Sequence, residues 1–204
     1  MNVLQIGCNN ANDKVSKFLS DNKKNISKAL LVDASPSALE LARKFYKDFS
    51  FIDFKNVAVV DNDKTEVDLF YPINSPESGH CSILEEHVKT HKEIEGRRDG
   101  RDPEKVEKLK VPAVRVNNLL DYFNGEYIDR LYVDIEGLDC AIINDIDLRK
   151  YDIGYIRFEH THSEKAFTTN GPTLKKTLLR AMDAGYTVIK DQNCEEDLVL
   201  IKDF

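Results

Sequence analysis

Short apolar runs alternate with amphipathic stretches along most of the chain. Residues 3–6 form a short apolar run that stops at Gly7, the pattern of a buried strand and a turn. Residues 12–20 carry helical spacing, with Val15, Phe18 and Leu19 on one face. Residues 29–32 are a second buried strand ending at Asp33. Ser35 then suits a helix cap and Pro36 the first helical position, ahead of Leu39, Leu41, Ala42 and Phe45. Residues 49–54 predict a third strand. Residues 57–60 and 66–71 predict a strand pair or extension across the polar turn 61–64. The pattern resumes with a strand at 114–116, a helix at 117–123, a buried strand at 130–135 and a helix at 138–146. A strand at 153–158 ends at Glu159, and an amphipathic helix at 172–184 is followed by Gly185. Residues 186–189 and 198–201 are strands across a polar loop, hence antiparallel neighbours.

Strands that alternate with helices, most of them continuous apolar runs, predict an α/β protein. Its sheet is doubly wound and mostly parallel, and the terminal hairpin adds an antiparallel strand. One stretch departs from the pattern. Sixteen of the 26 residues in 85–110 are charged, and the segment holds Gly96, Gly100 and Pro103. It is read as an insertion outside the core, with weak helices or a mobile loop. The expected organisation is a single domain over 1–204 with a charged insertion at about 72–110.

Composition narrows the functions. The 204 residues are 41% hydrophobic and 32% charged, which suits a globular domain and excludes fibrous and disordered classes. Lys and Arg number 29 against 36 Asp and Glu, a net charge of −7 that argues against a broad grip on nucleic-acid phosphates. No apolar run approaches the ~20 residues that span a bilayer. No signal peptide is read at the N-terminus. Cys8, Cys81, Cys140 and Cys194 are scattered, which fits buried thiols in a reducing cytoplasm rather than a zinc ribbon or disulfide framework.

In a doubly wound sheet, ligands sit beyond the carboxyl ends of the strands. Gly7 to Asp13 follow the first predicted strand, Asp33-Ala34-Ser35 the second, and Asp53 and Asn56 flank the third. Asp134-Ile135-Glu136-Gly137 and Glu159-His160-Thr161-His162 follow the next two core strands. Acids, amides and imidazoles at every strand end point to one cleft. Gly7 and Asp33 lie 26 positions apart, a glycine turn and an acid that together suit a nucleoside. The G-x-G-x-x-G pyrophosphate pattern is absent, which fits a ligand with a ribose but no pyrophosphate, such as S-adenosylmethionine.

These segments carry a family resemblance. Val3-Leu4-Gln5-Ile6-Gly7-Cys8-Asn9, Leu31-Val32-Asp33-Ala34-Ser35-Pro36, Asn56-Val57-Ala58-Val59, Ser78-Gly79-His80-Cys81-Ser82-Ile83, Leu131-Tyr132-Val133-Asp134-Ile135-Glu136-Gly137 and Ile156-Arg157-Phe158-Glu159 are similar to motifs of one family. The chain resembles the FkbM-type family of class I S-adenosylmethionine-dependent methyltransferases, from Val3 to about Ile201. It departs from the family pattern at Gln5, usually Asp, at Ala11, where a second Gly is common, and at Tyr132, usually Lys. The resemblance implies a Rossmann-like fold with a seven-stranded sheet and S-adenosylmethionine as cofactor. It implies Gly7 and Asn9 near the amino-acid part of the cofactor, Asp33 with Ala34 at the ribose, Asn56 and Val57 near the adenine, and Ser82 lining the pocket. It also implies O-methylation of a hydroxyl on a sugar, glycan or small metabolite.

The candidate catalytic residues are Asp134, Glu136, Glu159 and His160. Asp134 and Glu136 share a face while their strand stays extended, and Glu136 is alternatively a pin for the loop through backbone N–H groups. His160 and His162 suit a base near neutral pH. Carboxylate with imidazole is also a common ligand set for a divalent metal, but no spacing in the sequence demands one. His87 and His91, at i and i+4 in the charged insertion, are read as a solvated face ahead of a metal pair. The insertion is the expected lid. Its Arg97, Arg98, Arg101, Lys108 and Lys110 suit an anionic acceptor, and the interleaved acids suit a plain solvated helix equally. Starting the first strand at residue 3 leaves acceptor choice to residues 72–110, to the loop 159–171, or to a second subunit of a homo-oligomer. Two other readings stay open: a non-catalytic S-adenosylmethionine- or nucleoside-binding module, and a dinucleotide-dependent oxidoreductase.

Overall fold

Strand β1 (Asn2–Ile6) lies between β2 (Lys28–Asp33) and β7 (Arg130–Val133), parallel to both, in a computed structural model of the chain. The structure describes residues 1–11, 13–100, 105–161, 171–191 and 194–202. From β1 the chain winds outward through β2 to β3 (Ile52–Asn56), then returns to build the other half with β7 and β8 (Tyr155–Glu159). Strands β9 (Tyr186–Lys190) and β10 (Asp197–Lys202) complete a seven-stranded sheet of order β3-β2-β1-β7-β8-β10-β9. Only β10 runs against its neighbours, as the polar loop between the last two apolar runs predicts.

Helices cover both faces. Helices α1 (Lys14–Asp21) and α2 (Pro36–Phe45) start at side-chain caps: Asp13 accepts from Ser16 N at 2.7 Å, and Ser35 Oγ from Ala38 N at 3.2 Å. They close over Val3, Leu31 and Tyr132 on one face. On the other face Leu4, Ile6 and Val133 pack with α4 (Val116–Leu120), α5 (Asp139–Asp145) and α6 (Pro172–Asp183). Neighbouring β1 residues thus enter opposite cores, because strand side chains alternate.

The charged stretch is more ordered than its composition predicts. It forms α3 (Glu85–Asp99) and most of β6 (Val106–Arg115). Strands β4 (Ala58–Val60) and β5 (Glu66–Pro72) do not pair with each other across the turn, as the pattern suggests. Strand β6 lies between them, parallel to β4 and antiparallel to β5. Alternation explains this. Val111 and Ala113 enter a small core with Leu69, Ala58 and Val60, while Lys108 and Lys110 stand outside and pair with Asp68 and Glu66 at 2.7 and 3.0 Å. The third strand also begins later than predicted, at Ile52.

Candidate active site

The turn after β1 is shaped by close approach. Gly7 sits at φ +82°, and a Cβ there would collide with the Asp134 carbonyl oxygen, so only glycine lets this turn pass against the end of β7. Gly7 and Cys8 both donate their N–H groups to the Val32 carbonyl, at 2.9 and 3.1 Å. Asn9 and Ala11 are also left-handed, at φ +45° and +65°, so Ala11 holds a glycine-type conformation where the family commonly has glycine. Asn9 N–H donates to Asp33 Oδ2 at 2.7 Å, and Ser35 N–H to Oδ1 at 2.8 Å. Burial pushes the Asp33 carboxyl up to about 6, against the pull of those two backbone donors.

A cleft of about 710 Å³, open at its mouth, lies beyond these strand ends. Gly7, Asn9, Asp33 and Ala34 line one side, and Val57, Val59, Leu69 and Ile83 supply an apolar wall. Ser82, Asp134 and Glu136 line it as well. Asn56 does not. Its side-chain amide donates to the Asp33 and Ala34 carbonyls at 2.8 and 3.1 Å, which fixes the backbone that carries the acid.

A second cleft, of about 950 Å³, adjoins the first. Asp134 and Glu136 line both. The acids Asp13, Glu159, Glu196 and Asp197 face the second cleft together with Lys14 and Arg157. Enclosure by protein, then the charges of Glu159, Asp197 and Asp13, push the Asp134 carboxyl up to about 7, while Arg157 opposes the rise. Arg157 binds Asp191 at 2.9 Å and also Asp197. The Gln5 amide donates to Asp13 Oδ2 at 2.5 Å, a bond that the usual Asp at this position lacks the donor to make. Glu159 accepts from the Thr161 hydroxyl. His160 lines neither cleft, and its ring meets the Glu195 carbonyl at 3.2 Å. His162 and Arg101 lie outside the described residues.

The loop after β7 corrects the extended-strand expectation. The strand ends at Val133, and Glu136 is left-handed at φ +57°, so alternation does not place Asp134 and Glu136. Nor does the Glu136 carboxylate pin the loop through backbone N–H groups. Asp139, buried in the first turn of α5, does that work by accepting from Ile135 N and Gly137 N at 3.2 and 3.3 Å. Glu136 instead reaches α3, with Oε2 2.7 Å from His87 Nε2 and 3.7 Å from His91 Nε2. Burial, then the negative Asp134 and Glu159, raises the Glu136 carboxyl well above its ordinary range. His87 is buried, so this face of α3 is not the solvated one the charge density suggests. Ser82 ties the same corner, donating to the Glu136 carbonyl at 2.9 Å and accepting from Leu84 N at 3.1 Å.

The insertion cations are engaged with acids away from both clefts. Arg97 meets Glu93 at 3.4 Å and Arg98 meets Asp99 at 3.7 Å, while Lys108 and Lys110 hold the acids of β5. The sequence reading gave no role to Arg157 or Asp139. Their signals were present, an Arg two positions before Glu159 and an acid in the first turn after the Glu136 loop. Among the described residues no helix is long and apolar enough to cross a membrane.

The strand order is that of the Rossmann-like methyltransferase fold. The model of the methyltransferase FkbM domain matches residues 1–188, and the chain belongs to that family. Among solved structures it is similar to the methyltransferase FkbM of Methylobacillus flagellatus KT, with TM-score 0.54 and 9% identity, over 98% of this chain and 43% of that one. The chain thus spans less than half the length of that protein. It is also similar to the SAH-bound Podospora anserina methyltransferase PaMTH1, with TM-score 0.51 and 10% identity, over 100% of this chain and 72% of that one. No curated protein matches the sequence significantly.

Proposed function

We propose that the chain transfers a methyl group from S-adenosylmethionine, held in the first cleft, to a hydroxyl of a sugar, glycan or small metabolite in the second. The observation that carries this reading is that Asp134 and Glu136 line both clefts, so one pair of carboxylates borders donor and acceptor at once.

The residues fit the cofactor. Gly7 and Asn9 line the first cleft beside Asp33, and the Asp33 carboxylate keeps lone pairs for two ribose hydroxyls beyond its backbone donors. The apolar wall of Val57, Val59, Leu69 and Ile83 suits an adenine ring. When bound, S-adenosylmethionine supplies a sulfonium methyl ready for in-line displacement. Asp134, held near neutrality, is placed to take the acceptor's proton. Leu69 and residues 78–83 form one wall of the first cleft and shield part of it from water.

The second cleft also speaks to the acceptor. Six carboxylates line it against Lys14 and Arg157, a charge balance that suits a neutral polyhydroxylated or cationic molecule better than a phosphorylated one. Glu159 is assigned to bind such an acceptor through its hydroxyls.

The test has two stages. Calorimetry with S-adenosylhomocysteine reports cofactor binding, and its absence sinks the reading. A screen of neutral, cationic and phosphorylated acceptors with labelled methyl donor then reports transfer. Cofactor binding with transfer to no hydroxyl-bearing acceptor leaves a non-catalytic binding module.

A further inference from the structure

We propose that His87, His91 and Glu136 form a binding site for a divalent first-row transition-metal ion, beside the two clefts and sharing Glu136 with them. His87 Nε2, His91 Nε2 and a Glu136 carboxylate oxygen are gathered so that one ligand atom from each lies within 4.8 Å of the others. The two imidazoles come from successive turns of α3, with ring centroids 4.5 Å apart, and the carboxylate comes from the loop after β7. Two imidazoles and one carboxylate are the three-ligand set of many zinc and iron sites that keep further positions open.

The way α3 docks makes the cluster more than a coincidence of neighbours. A helix of 15 residues ordinarily docks through an apolar stripe. On α3 the buried side chains are His87, Val88 and Lys92, with Gly96, so a single aliphatic residue faces inward. Ile94, its other large aliphatic residue, is exposed. The inward face is therefore built around an imidazole aimed at a carboxylate. That carboxylate is held in a left-handed loop fixed by Ser82 and Asp139. A loop constrained in this way is pre-organised to present one oxygen in one place.

The electrostatics favour a cation. Asp134, Glu159, Asp139 and Glu196 all act on Glu136 with like charge. A divalent ion between Glu136 and the two imidazoles would offset that repulsion. Ligand atoms of one tetrahedral ion with bonds of about 2.0–2.1 Å sit some 3.4 Å apart. The observed separations of 2.7 and 3.7 Å bracket that spacing, so metal entry exchanges the direct His87–Glu136 hydrogen bond for two metal bonds with only small side-chain movements. His80 stacks on His91 with ring centroids 4.7 Å apart, a further contact that holds that ring.

The test is direct metal binding by the full chain, without a histidine tag and stripped by chelator. Titration with Zn²⁺ by calorimetry is expected to show one site per chain. Co²⁺ is expected to give the visible d–d bands of a four- or five-coordinate ion. His91→Ala, which leaves the His87–Glu136 bond in place, is expected to weaken Zn²⁺ binding by roughly 100-fold or more and to abolish the Co²⁺ bands. His87→Asn is expected to do the same, with circular dichroism confirming its fold. Absence of saturable one-site binding overturns the proposal, and so does a His91→Ala protein that binds Zn²⁺ as tightly as the unaltered chain. S-adenosylhomocysteine affinity, measured separately on the stripped protein, keeps the metal site and the methyl-donor reading independently testable.

Discussion

The backbone N–H of Asn9 donates to Asp33 Oδ2 at 2.7 Å, tying the turn after β1 to the acid after β2. The bond spans 24 positions of sequence and holds the two halves of the expected nucleoside site together. It leaves one lone pair on each Asp33 oxygen for a ligand, since Ser35 N–H occupies only one on Oδ1.

Asp33 sets a pH dependence of opposite sign for ligand and for fold. Its carboxyl rises from an ordinary 3.8 to about 6 in the folded chain, so the folded state binds the proton more tightly than the unfolded one. The contribution of this group to stability therefore increases as pH falls through about 6 toward 4, and decreases as pH rises through the same window. Ribose hydroxyls need the ionised form. Affinity for S-adenosylhomocysteine should be flat above about pH 7 and weaken by up to roughly tenfold per unit below 6. In Asp33→Asn, affinity at pH 8 should fall and the pH dependence should vanish. Calorimetry from pH 5 to 8 measures both, and an Asp33→Asn protein with the original pH profile refutes the assignment.

Gly7 and Gly100 are both left-handed, at φ +82° and +66°, but only Gly7 is crowded. Gly7→Ala adds a collision with the Asp134 backbone to the conformational strain, and should cost about 3 kcal/mol or more. Gly100→Ala meets open space, and should cost about 1 kcal/mol from the left-handed conformation alone. Urea unfolding of the two proteins separates the cases. Equal losses would mean that close approach to Asp134 contributes nothing.

Much of the site was legible because topology forces it. In a doubly wound sheet the residues just past β1, β2 and β7 must meet, so Gly7, Asn9, Asp33, Ala34 and Asp134 could be grouped from strand ends alone. Side-chain direction was not legible. Asn56 ends β3, yet its amide turns back to the Asp33 and Ala34 carbonyls and leaves the cleft wall to Val57. The pairing of Glu136 with His87 joins positions 49 apart through an insertion whose charge density hid its inward face. Only the end of β6 was legible, as the predicted strand at 114–116; its start was hidden, because the alternation of Leu109, Val111 and Ala113 is brief and set among lysines and glutamates.

Arg157 compensates the acidic second cleft. Its guanidinium is largely buried between Asp191 and Asp197, and Lys14 stands 3.9 Å from Asp197. Arg157→Leu leaves both acids without that partner and should destabilise the fold by about 3 kcal/mol. Adding Asp197→Asn removes one of the charges left uncompensated and should recover about half of the loss. Thermal denaturation of the single and double variants gives the coupling. Strict additivity would mean that the pair does not interact.

Asp134→Asn separates catalysis from binding. The substitution keeps the shape of the side chain and its place between the clefts, but replaces the basic carboxylate with an amide too weakly basic to take a proton. Among the described residues the Asp134 carboxyl makes no side-chain hydrogen bond that the substitution would lose, and its backbone N–H donates to Ile6 O at 3.0 Å irrespective of the side chain. Stability should therefore hold or rise slightly, since one charge leaves a crowd that includes Glu159, Asp197 and Asp13. Affinity for S-adenosylhomocysteine should change less than roughly threefold, because the contacts assigned to the ribose and adenine lie on Asp33 and the apolar wall. Methyl transfer to a hydroxyl acceptor should fall by roughly 10²–10⁴-fold, the usual contribution of a general base. Single-turnover transfer at saturating donor, measured beside calorimetry, distinguishes the outcomes. Unchanged transfer would remove Asp134 from the chemistry and pass the proton to Glu159, the other strand-end acid that lines the second cleft.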